Sequence, residues 1–151
     1  MEKTKRYIMI LRLITASVIM LAGITTAGAQ EDLNINRIFE RYGHEKGCKL
    51  VVMHNTRLKK YRLDVYKALV YKKRKIDTDT YLNADRKNAI KIREVVDNGK
   101  TVSGYYMMKP KEEGKNRYIL FSKVYEHEGA VIYIEGPISP DDIMKLCYSA
   151  F

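Results

Sequence analysis

Tyr118-Ile119-Leu120-Phe121-Ser122-Lys123-Val124-Tyr125 and Ala130-Val131-Ile132-Tyr133-Ile134-Glu135 are two runs of branched and aromatic residues, separated by Glu126-His127-Glu128-Gly129. Short apolar runs bounded by a Gly-containing polar connection are what a β-hairpin requires. A third run of the same kind, Thr101–Met108, stands before them across Lys111-Glu112-Glu113-Gly114-Lys115, which extends the hairpin to three strands. Downstream, Ser139-Pro140-Asp141-Asp142 opens a helix: the Ser hydroxyl can cap, Pro fits the first turn, and two carboxylates suit the positive end of the helix dipole. Ile143, Leu146 and Cys147 then face the core.

Upstream, residues 61–71 alternate as a strand should, and Cys48–Met53 is a short β-branched run. Ile35, Ile38, Phe39 and Tyr42 recur at helical spacing, so a helix is predicted over 34–42, capped by Asn34 and stopped by a left-handed Gly43. A second amphipathic helix is predicted over Leu82–Val96, with Leu82, Ala89, Ile92 and Val96 on one side and Asn98-Gly99 as its stop. The order α-β-β-α-β-β-β-α defines an α+β domain: a largely antiparallel sheet with helices packed on one face.

The chain has 151 residues with 28 Lys and Arg against 18 Asp and Glu, 12 Tyr, 2 Cys and no Trp. This length suits one domain, and the composition is too apolar and aromatic for intrinsic disorder. The first 29 residues read as a cleaved signal peptide; the alternative, an uncleaved membrane anchor, is disfavoured because Arg12 interrupts the stretch and the uncharged part beyond it is shorter than the ~20 residues that span a bilayer. Glu2-Lys3-Thr4-Lys5-Arg6 is a charged start, residues 13–24 are almost entirely apolar, and Ala27-Gly28-Ala29 is the small-x-small pattern of a cleavage site. No Cys lies near the end of the apolar segment, so the acylated cysteine of a lipoprotein is missing, and no later stretch is long enough to span a bilayer. The expectation is an exported, soluble domain over residues 30–151, periplasmic or secreted. Removing Lys3, Lys5, Arg6, Arg12 and Glu2 leaves 24 basic and 17 acidic side chains, a net charge of +7. In an oxidising compartment Cys48 and Cys147 could form an internal disulfide or remain buried thiols.

Motifs for chemistry are absent. His44-Glu45-Lys46-Gly47-Cys48 and His127-Glu128-Gly129-Ala130-Val131 each lack the second His of a zinc helix. Asp77-Thr78-Asp79-Thr80 starts like a calcium loop but continues with Tyr81 and Leu82, which leaves capping of the following helix by Asp79 or Thr80 as its role. No Ser sits in a nucleophile elbow, no glycine-rich phosphate loop occurs, and Glu112-Glu113 and Asp141-Asp142 have ordinary places in a turn and at a helix start. No catalytic residue, metal ligand or cofactor is assigned.

Positive charge is the feature that stands out. Between Arg57 and Lys75 lie nine basic residues and a single acid, Asp64, with Tyr61, Tyr66 and Tyr71 interleaved. Arg57, Lys59, Lys60, Arg62, Lys72, Lys73, Arg74 and Lys75 are candidates for binding a polyanion such as a lipid phosphate, an acidic glycan or extracellular nucleic acid. Export disfavours intracellular nucleic acid. Edge lysines also keep strands from aggregating, which is the competing explanation. Tyr105, Tyr106, Tyr118, Tyr125 and Tyr133 fall on the predicted hairpin strands, where tyrosine is at home half-buried beneath helices.

The block Ile35-Asn36-Arg37-Ile38-Phe39-Glu40-Arg41-Tyr42, then a Gly-containing turn and the strand Leu50-Val51-Val52-Met53, behind a leader ending Ala29-Gln30, resembles the small exported domains of unknown function common in Bacteroidetes. The resemblance is architectural and implies a periplasmic or secreted α+β protein with no assigned activity. The first functional expectation is a non-enzymatic domain meeting a cell-envelope protein through a sheet face or exposed edge. The second is a polyanion binder using 57–75. A small envelope hydrolase is a distant third.

Overall fold

A computed structural model of the chain describes residues 33–148; the leader and its cleavage site lie outside the described residues. The elements run α1 (Ile35–Tyr42), β1 (Cys48–Leu58), β2 (Tyr61–Tyr71), α2 (Asp79–Arg86), β3 (Ala89–Asp97), β4 (Lys100–Met108), β5 (Asn116–Tyr125), β6 (Glu128–Gly136) and α3 (Pro140–Tyr148). Six strands form one sheet in the order β1-β2-β6-β5-β4-β3, antiparallel throughout. A long hairpin is therefore followed by a four-stranded meander that starts at the far edge and returns to the hairpin, β6 closing onto β2. The class is the expected α+β.

Residues 89–97 are a strand where a helix is predicted. The second helix stops at Arg86, and Asn88 donates its amide to the Asp85 carbonyl as the chain turns. Asn98 and Gly99 take φ of +50° and +74° and join β3 to β4 as a two-residue hairpin turn, instead of ending a helix. Asn-Gly is the pair such a turn favours. Ile90, Ile92, Val95 and Val96 lose little in a strand because β-branched side chains are stiff about χ1 and crowd a helix.

The helices lie on both faces of the sheet, not on one. Alternate residues of β2 and β6 belong to separate cores: Tyr66, Ala68, Val70, Ala130, Ile132 and Ile134 pack with Ile143, Leu146 and Cys147 of α3. Val65, Leu69, Tyr71, Val131 and Tyr133 pack with Ile35, Ile38 and Phe39 of α1 and Leu82 of α2. Each fully buried aliphatic or aromatic side chain stabilises the fold by about 1.5–3 kcal/mol. Burial on both faces explains why β6 is a continuous apolar run and not an alternating one.

Two local arrangements position α1. Gly43 has a right-handed φ of −60°, so it is not the left-handed stop expected of it. A Cβ there would lie 2.4 Å from the Phe39 carbonyl oxygen and 2.6 Å from Leu50 Cδ2, so the glycine serves the close approach of helix to strand. Asn34 makes no side-chain cap. The cap comes from Asp85 of α2, whose buried carboxylate accepts the amides of Asn34 and Ile35, each at 2.8 Å, and the Asn34 side-chain amide at 3.0 Å. At the other end of the chain Ser139 caps α3 as predicted, its hydroxyl accepting the Asp142 amide at 3.1 Å.

Candidate functional site

The basic segment is continuous in sequence and divided in space. β1 and β2 pair from Cys48 opposite Tyr71 to Leu58 opposite Tyr61, so Arg57, Lys59, Lys60 and Arg62 sit at the turn of the hairpin. Lys72, Lys73, Arg74 and Lys75 follow the other end of β2, about 33 Å away for an eleven-residue strand. Carboxylates meet that second group: Lys72 faces Glu128 at 3.5 Å, Lys75 faces Glu126 at 2.7 Å, and Arg74 pairs with Glu45. Lys73 takes φ of +54° and borders a shallow depression with Tyr125, His127 and Glu128. At the turn, Lys59 also takes φ of +54° and the Lys60 ammonium lies 5.4 Å from the centre of the Tyr61 ring. Lys67, between the two groups, is half-buried over Phe39, and desolvation lowers its pKa from the ordinary lysine value.

Cys48 and Cys147 are free thiols on opposite faces of the sheet, Cys48 against the α1 core and Cys147 within the α3 core. A bridge would have to cross the sheet, which disulfide geometry forbids. Burial pushes the Cys147 thiol up to about 12. His44 and His127 lie in turns, and among the described residues no three His, Cys, Asp or Glu side chains converge to hold a metal. Asp77 caps the start of α2 by accepting the Thr80 amide at 3.1 Å. That assigns the role to Asp77 and not to Asp79 or Thr80.

Between α2 and strands β3 to β5 lies a cleft of about 220 Å³. Its floor is the tilted pair Tyr106 and Phe121, 5.3 Å between ring centres. Glu94 accepts Tyr106 Oη at 2.7 Å and two Arg86 nitrogens, Nε at 2.7 Å and Nη2 at 3.2 Å. Across the cleft Lys123 pairs with Asp79. The Arg86 guanidinium holds the Glu94 carboxyl below the ordinary range, and burial together with the Glu94 carboxylate raises Tyr106 well above a usual phenol. Both carboxylates are matched by cations and the tyrosine is kept as a donor. This is the arrangement of a clamp between α2 and β3, not of an acid and base poised near neutrality. Its volume is also below the roughly 300–1,000 Å³ of small-molecule sites.

The misread strand is the feature that sequence reasoning missed. β3 is the outer strand at one edge of the sheet, and it carries three of the five large apolar side chains that are exposed among the described residues: Ile90 at 58%, Ile92 at 37% and Val96 at 60%. The opposite edge strand, β1, carries one, Val52. Register shifts beside Ile90 and between Val95 and Val96 bracket a regular stretch over 91–95. The Asn98-Gly99 pair was the signal that could have revealed this strand. The tyrosines divide between the faces: Tyr105 stacks on Tyr118 under α3, Tyr106 and Tyr133 lie in the α1 core, and Tyr125 is exposed.

A helix pair and a C-terminal helix on opposite sides of a six-stranded antiparallel sheet define an α+β domain. The chain belongs to a family of unknown function (DUF6108), whose model matches residues 22–147. No curated protein and no solved structure matches it. Among the described residues no helix is long and apolar enough to cross a membrane.

Proposed function

We propose that this is an exported, non-enzymatic interaction domain whose β3 edge accepts an extended segment of a cell-envelope protein. The observation that carries the reading is the pairing of an open sheet edge with the exposed Ile90, Ile92 and Val96 side chains on that same strand. Strand addition draws affinity from main-chain hydrogen bonds and specificity from alternate side chains. The regular stretch 91–95 offers both, with Lys91, Arg93 and Glu94 between the apolar positions. Two register shifts, Lys91 and Arg93 guard this edge in part, and Ile90, Ile92 and Val96 are the apolar side chains they leave exposed. Export rests on the charged start, the apolar run 13–24 and the Ala27-Gly28-Ala29 site. The non-enzymatic assignment rests on the mutual neutralisation of the ionisable groups in the cleft.

The test replaces Ile90 and Val96 together by Lys in the full-length chain and compares affinity recovery of envelope proteins from the native host. Loss of a specific co-purified protein, with the far-ultraviolet circular dichroism of the mature domain unchanged, is the expected result. Recovery of the same partners by the variant would overturn the edge assignment.

A further inference from the structure

The turn of the β1–β2 hairpin holds an arrangement that its own stability does not favour. Arg57 and Arg62 are directly opposite one another in the ladder and both are exposed. Like charges in that position repel at a Cβ separation of about 4.5–5.5 Å. Among the described residues neither guanidinium has an ion-pair partner. Asp64 is the nearest acid along the strand, and Asp142 of α3 is occupied by the Tyr61 hydroxyl and by Lys145, each at 3.5 Å. Lys59 and Lys60 form the turn itself, so residues 57–62 carry four cations and no acid. β6 pairs with β2 no further than Val65, and beyond it Leu58 and Leu63 anchor this end of the hairpin in the α3 core while the two arginines stay exposed.

We propose that this end of the hairpin is a binding site for lipid phosphates at an anionic membrane surface, with Arg57 and Arg62 sharing one phosphate and Lys60 beside them taking a neighbour. The cations are exposed side chains at one end of the hairpin, an arrangement that gains from an array of anions met together. A linear polyanion is better served by a stripe of cations along its path. Here the stripe is interrupted, because the cations at the far end of β2 are met by Glu45, Glu126 and Glu128. The site is distinct from the β3 edge, which lies on the other side of the sheet.

The test uses residues 30–151, which contain every described residue of both cores, sedimented with vesicles of phosphatidylglycerol and phosphatidylcholine or of phosphatidylcholine alone. Arg57→Gln with Arg62→Gln is compared with Lys73→Gln with Lys75→Gln, an equal loss of charge at the far end. The proposal expects binding to anionic vesicles only, weakened by salt, and reduced about 30-fold by the arginine pair. The lysine pair should stay within about threefold of the parent. Equal loss in both pairs, or no vesicle binding, overturns it. Tip-dependent binding to heparin without vesicle binding replaces the membrane by a linear polymer and also overturns it. Displacement from vesicles by inorganic phosphate at the same phosphate concentration would show a lone-ion site instead of a surface one. Circular dichroism of each variant separates these outcomes from misfolding.

Discussion

Replacing Asp85 by Ala should be the most damaging single polar substitution in the domain. Asp85 is 1% exposed and its carboxylate accepts two backbone amides at 2.8 Å and the Asn34 side chain at 3.0 Å. Both amides belong to the start of α1, where N–H groups have no partner within the helix. Each buried donor left unsatisfied costs about 1–3 kcal/mol, and the cap's favourable position at the helix dipole is lost as well. Together these give a destabilisation of about 4 kcal/mol for Asp85→Ala. Asp85→Asn keeps one acceptor oxygen and should lose about 2 kcal/mol. The assay is urea unfolding of residues 30–151 by circular dichroism. With a slope of about 2 kcal/mol/M, the Ala variant should unfold about 2 M earlier than the parent and the Asn variant about 1 M earlier. Asn34→Ala should cost much less, because that side chain caps nothing. An Ala variant within about 0.5 M of the parent would refute the trans-capping argument.

Glu94→Gln tests the clamp between α2 and β3. The folded-state pKa of Glu94 is depressed, first by Arg86, so its contribution is fully present above the ordinary carboxylate value and lost as pH falls through the folded one. The stability gap between parent and variant should therefore be widest near pH 7 and close below about pH 4, and a gap constant across that range would contradict the assignment. Native thiol titration should modify Cys48 first and leave Cys147 protected until the domain unfolds, and non-reducing mass analysis should show two free thiols. A mature chain beginning at Gln30 is the expected product in the native host, read by intact mass, whereas a chain retaining residues 1–29 would contradict cleavage and favour an uncleaved anchor.

Much of the fold was legible where one physical signal dominated. β2 was bounded at Tyr61 and Tyr71 by its alternation, and the Ser139 cap and Pro140 marked α3. β3 failed because Leu82, Ala89, Ile92 and Val96 fit a helical face by spacing alone, while an edge strand open to water on one side has no strict alternation to oppose it. The two-faced core was present in Ala130–Ile134 as an unbroken apolar run, but such a run does not say which helices cover which face. The basic segment misled in another way. Residues 57–75 are neighbours along the chain, yet an extended strand carries its two ends about 33 Å apart. Sequence distance also concealed Asp85, fifty residues from the amide it caps. Cys48 and Cys147 could be judged only once the sheet stood between them.

The most direct test of the β3 edge is site-specific photo-crosslinking in the native host, with a photoreactive residue at Ile90, at Val96 or, on the opposite edge, at Val52. The account predicts a discrete adduct of one mass from Ile90 and Val96 and none from Val52. Adducts from Val52 alone, or the same diffuse products from all three positions, would contradict it.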